Sequence, residues 1–394
     1  MSWKRMGLVI GVVAVCMVQL QAGPAVLKGN DKMITEEQKA FLKKLIDTPT
    51  PTGSEAAGAL LLGRRIREKT GIAPTIDVHG NLHAVYDVGA KTTVMLEGHG
   101  DEIGYIVQYI DKNGYVYLQN LGGVVVPLTA AERLVILTKN GPVRGVVGTR
   151  PPHLMKSDEK KSVAADDLRL LPCDIGASSK EEAEALISIG DSAVVESGFR
   201  PLAGARVSGR GFDDRIGTFA MCEAFIRLAT SAEKPKVNVH YVSSVCEEIG
   251  LVGGRLASYS VHPTIGISCD VGHASDGPVG DDFKSVGDVR LGKGASLSTG
   301  PIYHKGLVAH FRKTAEERKI PMQLHAVPKG AGNNGWALKL ERGGVPVVQI
   351  AIPLRYMHSP VEVADLRDVE SVISLTAAAV LGLDDDFPLL PEQP

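Results

Sequence analysis

Short apolar runs, separated by polar stretches rich in glycine, organise most of the chain. Val345–Leu354 is apolar at every position except Gln349, and Val94–Leu96, Val237–Val245 and Ile265–Cys269 are further strand-like runs. Runs without strict alternation predict strands covered on both faces. Between them the spacing turns helical. Ile216–Thr230 is apolar almost all round, which predicts a buried helix. Lys305–Lys319 is amphipathic, and Asp365–Leu383 predicts a closing helix. Near the start, Thr35-Glu-Glu-Gln38 has the capping-box pattern ahead of Phe41, Leu42 and Leu45. A turn over 48–55 precedes a second helix running to about Lys69. Strands alternating with helices predict an α/β fold, a mixed sheet with helices on both faces.

From Tyr105 to Phe199 the pattern changes. Two strand-like runs flank Lys112-Asn-Gly114, and two more flank Asn140-Gly-Pro142, each a hairpin signal. A capping box at Ser178-Ser-Lys-Glu181, ahead of Ala183–Ile187, predicts the one clear helix there. The expected organisation is a discontinuous α/β domain, 33–104 and 200–385, interrupted by a β-rich insertion over 105–199.

The N-terminus follows a different rule. Lys4 and Arg5 precede an apolar run from Met6 to Leu20, with small residues at Gly23 and Ala25. That order predicts a cleaved signal over 1–25 and export to the periplasm or beyond, with a cytoplasmic chain if the signal does not function. The run is shorter than the ~20 residues a bilayer span needs, so no stable membrane span is expected. Val13-Ala-Val-Cys16 is a poor lipidation site, since Val15 is bulky where a small residue is wanted.

A net charge of -2 supplies no basic field, which excludes nucleic acid as a partner. Cys173, Cys222, Cys246 and Cys269 form no C-x-x-C pair and read as small buried hydrophobes.

The chemistry collects where the strands end. In open α/β sheets ligands bind outside the carboxyl ends of the strands. His99 and Asp101 follow Val94–Leu96, Glu247 and Glu248 follow Val237–Val245, Asp270 ends the run from Ile265, and His358 follows Val345–Leu354. Asp213 and Asp214 stand just before the buried helix. Singly, such residues are turn histidines or helix caps. Together they make a mixed nitrogen and oxygen donor set suited to two divalent ions such as zinc, cobalt or manganese. Two ions that activate a water predict hydrolysis. The adjacent acids Glu247-Glu248 offer one metal ligand and one proton acceptor, and His99-x-Asp101 permits a carboxylate that orients a ligating histidine.

These motifs, His-x-Asp-Glu-Ile-Gly, Asp-Asp-Arg-x-Gly, Glu-Glu-x-Gly, Cys-Asp and Tyr-x-His-Ser-Pro in order, resemble the tetrahedral aminopeptidases. These dinuclear-metal enzymes include glutamyl aminopeptidases, and some members are labelled cellulases. The resemblance runs from about Thr35 onward and implies a zinc-exopeptidase-like fold. Carried over, His99 and Asp270 bind one metal, Glu248 and His358 the other, and Asp213 bridges them, with a cis peptide to Asp214. Glu247 is the general base, Asp101 orients His99, and Glu102 has neither role. The insertion is implied to be an oligomerisation domain, the assembly a dodecamer, and the substrates peptides. The chain departs from the pattern at Gly332-Asn-Asn334, where the family reads Gly-Thr-Asp, and at Gly100, where a bulkier residue is common. Two rival readings are a glycoside hydrolase, which leaves His99 and His358 without a role, and a metal-binding protein without catalysis, which predicts a missing ligand or base.

Overall fold

In a computed structural model, the structure describes residues 33–155, 167–278, 283–330 and 332–390. The signal expected over 1–25 lies outside the described residues. Among those residues, no helix is long and apolar enough to cross a membrane.

The main sheet has eight strands, in spatial order Thr75–Ile76, Leu82–Tyr86, Asn238–Ser244, Thr93–His99, Ile265–His273, Val347–Leu354, Ala295–Thr299 and Met322–Ala326. Thr93–His99 runs parallel to both Asn238–Ser244 and Ile265–His273, and the latter runs parallel to Val347–Leu354. Their carboxyl ends therefore open on one edge. Alternation along the central strand divides the core. Val94 and Leu96 face the larger apolar cluster, with helices Phe212–Thr230 and Leu366–Leu381, whereas Met95 joins Ala257 and Leu338 on the opposite face. Helices thus cover both faces. Gly98 is required by one of these contacts: a Cβ there would stand 2.8 Å from the backbone of Thr218.

The expected strand ending at Asp270 is longer. Ile265–His273 continues past the aspartate, which pairs opposite Ala351 inside the sheet. The acid is tolerated there because its side chain faces the cavity described below. The helix Glu36–Asp47 carries the expected capping box, with Thr35 Oγ1 accepting from Gln38 N and Gln38 Oε1 from Thr35 N.

Strands Gly104–Ile110, Val116–Leu121, Cys173–Asp174, Gly141–Val147, Arg133–Thr138 and Ser192–Val195 close, in that order, into a barrel with its own apolar core. Its helix, Lys180–Leu186, corrects the expected cap by one residue: Ser179, not Ser178, accepts from Glu182 N. Both serines have an acid three residues on, and the register used is the one that buries Ala183 and Ile187 in the barrel core.

Glu102, at the barrel's root, is 1% exposed and pairs with Arg210 at 3.2 Å and Arg215 at 3.0 Å. It also accepts from Thr50 N at 2.9 Å. Both guanidinium groups are buried and spend their other donors on backbone carbonyls. Glu102→Ala should lower the unfolding free energy by about 3–5 kcal/mol, because two buried cations lose their shared anion. Urea unfolding monitored by circular dichroism measures this, and a loss below about 1 kcal/mol would mean that water replaces the carboxylate.

Candidate metal centre

The sheet register assembles the site. Ser244 pairs with His99, so Glu247 and Glu248, just beyond Ser244, come level with the end of the neighbouring strand. His358 lies in the loop after Val347–Leu354, and Asp213 in the distorted start of Phe212–Thr230. The Asp213-Asp214 peptide is cis, as the family resemblance implies. Cys246 and His358 hold left-handed backbone, φ 53 and 60, a strain typical of functional sites.

Two groups of three ligand atoms result, each within 4.8 Å of one another: His99, Asp213 and Asp270, and Asp213, Glu248 and His358. Asp213 belongs to both. Its Oδ1 lies 3.3 Å from His99 Nε2, and its Oδ2 lies 3.2 Å from His358 Nε2. His358 Nε2 is also 3.5 Å from Glu248, and His99 Nε2 is 4.0 Å from Asp270. Neighbouring ligands of a tetrahedral ion with bonds of about 2.0–2.2 Å lie roughly 3.3 Å apart, so both groups fit such ions. Buried oxygens of Glu247 and Glu248, each without a hydrogen-bond partner, add donors facing the same space.

The electrostatics agree with a site built for cations. Burial, reinforced by Asp213, pushes Glu248 up to about 8 and Asp270 well above the carboxylate range. Burial also raises Glu247 to about 8, with Asp213 and Glu248 adding to it against the pull of His99. Burial alone would depress His99, but Glu247, Asp101 and Asp213 raise it well above its ordinary value. Glu247, Glu248 and Asp270, buried and crowded together, are held protonated unless positive charge arrives, whereas the two histidines beside Asp213 hold its carboxyl low.

Asp101, fully buried, faces His99 Nδ1 at 3.3 Å and accepts from the backbone of Glu247 at 3.0 Å and Glu248 at 3.2 Å. Thr52 donates to it at 2.8 Å. It therefore orders the paired glutamates as well as the histidine. Sequence reasoning missed two contributors. Glu362 accepts from Phe212 N at 2.6 Å and His358 N at 3.0 Å, tying together two segments that carry candidate ligands. The Gly123 carbonyl, from the loop after Val116–Leu121, faces His358 Nδ1 at 3.1 Å, and a Cβ on Gly123 would meet that nitrogen at 2.6 Å. Asn333 lines the cleft, but Asn334 does not: it is buried and donates to Glu97 at 2.6 Å and Ser244 at 3.0 Å. No local pattern marks the roles of Glu362 and Gly123.

Residues 80–375 match the model of the M42 glutamyl aminopeptidase family. The chain belongs to that family. A lysyl aminopeptidase of Pyrococcus furiosus is 36% identical over 339 residues, spanning 86% of this chain and 95% of the relative. Among solved structures, a TET aminopeptidase from a marine sediment archaeon of the Thaumarchaeota superposes with a TM-score of 0.82 at 29% identity, covering 88% of this chain and 97% of that one. A TET peptidase of Pyrococcus horikoshii, which can assemble into a tetrahedron or a large octahedral shell, superposes with a TM-score of 0.76 at 28% identity, covering 88% and 100%. This M42 chain is accordingly a metal-dependent aminopeptidase, a hydrolase that removes N-terminal residues from peptides.

Proposed function

We propose that the reaction runs at a centre of two divalent ions, zinc or cobalt, held by His99 and Asp270 on one side, Glu248 and His358 on the other, and Asp213 between them. The observation that supports this most is the placing of one Asp213 oxygen beside each histidine. Such ions polarise the scissile carbonyl and lower the pKa of water when bound. Glu247, outside both ligand groups, takes the proton of the attacking water at its carboxylate and passes it to the departing amine. Asp101 keeps Glu247 in place through its backbone amide and orients His99. A glycoside hydrolase would need only two carboxylates and would leave the paired histidines idle.

The insertion over 105–199 is proposed as the assembly domain of a dodecamer. Exposed Tyr109, Leu154, Leu170 and Ile189 offer it apolar contacts. Export rests on the order of charged, apolar and small residues over 1–25, and a chain whose signal does not function stays in the cytoplasm.

The test is to strip the purified chain with a chelator and follow aminoacyl-anilide and cellulose-oligomer cleavage, then reload zinc or cobalt while counting bound ions. Amidase activity should vanish and return as about two ions bind per chain, the stoichiometry expected of a paired site. Full activity at one ion per chain would refute the dinuclear arrangement. Glucan cleavage that survives chelation would favour the glycosidase, and ion binding without peptide cleavage would favour a binding protein.

A further inference from the structure

The centre lines part of a cavity of about 580 Å³, and the deeply buried remainder of that lining has a chemistry of its own. It is formed by Gln349, Ser298 and Tyr303, which are 2%, 3% and 4% exposed, together with Asn333 and His325. These come from separate elements: Gln349 and Ser298 lie on sheet strands, Tyr303 in the loop before Lys305–Arg318, and Asn333 caps Asn334–Leu340. An aminopeptidase has a single residue on the amine side of the bond it cuts. With the carbonyl at the ligand cluster and the rest of the peptide leaving through the opening, that residue's side chain must fill this buried part.

Two amide oxygens here, Asn333 Oδ1 and Gln349 Oε1, are buried without a hydrogen-bond partner. The two amide oxygens converge, lying 3.3 Å and 2.6 Å from where a Cβ on Gly335 would sit. The Tyr303 hydroxyl faces Ser298 and Asn333. Buried acceptors without donors are costly, and a ligand that supplies N–H or O–H groups removes that cost. Charge points the same way. Among the described residues lining the cavity there is no lysine or arginine, and the only acids, Asp213, Glu247, Glu248 and Asp270, belong to the ligand cluster. Burial, with His273 nearby, holds His325 below the ordinary histidine range, so it adds no cation at neutral pH. An N-terminal lysine or glutamate would bury a charge against neutral groups, which is strongly unfavourable.

Building on the aminopeptidase reading, we propose that this enzyme selects N-terminal residues with uncharged polar side chains, carboxamides and hydroxyls, through Gln349, Asn333 and Tyr303 in the buried part of the cavity. Glutamine, asparagine, serine and threonine supply the missing donors. Methionine and leucine match the amides in size but leave the acceptors unpaired. Lysine and glutamate bring charge. The preference differs from the one named in the lysyl relative, 36% identical to this chain.

The test uses the metal-loaded full chain and a panel of aminoacyl-anilides. The kcat/KM for glutaminyl substrate should exceed that for methionyl by about tenfold or more, one well-placed hydrogen bond to a buried group, and that for lysyl or glutamyl by a wider margin. Gln349→Met should bring the glutaminyl-to-methionyl ratio close to one. Asn333→Asp, at a half-exposed position, should shift the lysyl-to-glutaminyl ratio toward lysyl by about tenfold or more through the new anion. Each readout is a ratio within one preparation, so partial misfolding cancels. Lysyl, glutamyl or leucyl substrates turned over as fast as glutaminyl, or ratios unmoved in both variants, would overturn the selectivity while the aminopeptidase stands. No cleavage of any anilide by the loaded chain would overturn both.

Discussion

Glu247→Gln should lower kcat/KM for peptide anilides by about 10²–10⁴-fold, the usual worth of a general base, while the bound-ion content stays unchanged. The substitution keeps the shape of the side chain and removes only its capacity to take a proton. Glu247 belongs to neither ligand group, and its nearest histidine contact, to His99, is 3.8 Å. Its backbone amide, held by Asp101 at 3.0 Å, is untouched by the change. Kinetics together with elemental analysis of the same preparation decide the matter. More than a tenth of the activity surviving would assign the proton to another group. Lost metal would instead make Glu247 a ligand.

The second large effect is expected from Asp213→Ala, which removes a carboxylate common to both ligand groups. Its Oδ1 and Oδ2 face different histidines, so a single change should weaken both proposed ion sites at once. Activity should fall at least about 10³-fold, since each ion supplies several kcal/mol and 1.4 kcal/mol is a factor of ten. Bound ions should drop from about two per chain toward none. His358→Ala touches one group only, so it should spare the ion near His99. The double variant should lose little beyond Asp213→Ala alone, because residues acting as one unit are not additive. Asp213→Ala retaining two ions would exclude the bridge.

Much of the fold was legible because burial leaves a periodic trace. Val345–Leu354 reads as a strand covered on both faces because every residue but Gln349 is apolar, and Val347–Leu354 is buried throughout. The turns at Asn113-Gly114 and Asn140-Gly141 announced two hairpins of the barrel, since each glycine holds positive φ, 89 and 109. Register was less legible. Ser178 and Ser179 both satisfy the capping pattern, and only packing of Ala183 against the barrel core selects the second.

The proposed ligand residues stand out in the sequence because position and residue type coincide. A histidine or acid directly after an apolar run has few structural reasons to be there. Glu362 and Gly123 gave no such sign: their roles depend on what other segments bring to them. Glu362 matters because its carboxylate meets Phe212 N and His358 N, 150 and 4 residues away. Gln349 was conspicuous only as the one polar residue in an apolar strand.

The sequence by itself determined the alternation of strands and helices and the class of chemistry, and it singled out His99, Asp213, Glu247, Glu248, Asp270 and His358 as the proposed site. Each is encoded locally, through side-chain periodicity or through residue types placed at strand ends. Tertiary structure alone decided that Asp213 offers an oxygen to each histidine, that Asp101 holds both glutamates, and which of Asn333 and Asn334 reaches the cleft. These are relations of a few ångströms between segments far apart in the chain, Asp101 and Glu248 by 147 residues, set by sheet register and helix packing that local pattern does not carry.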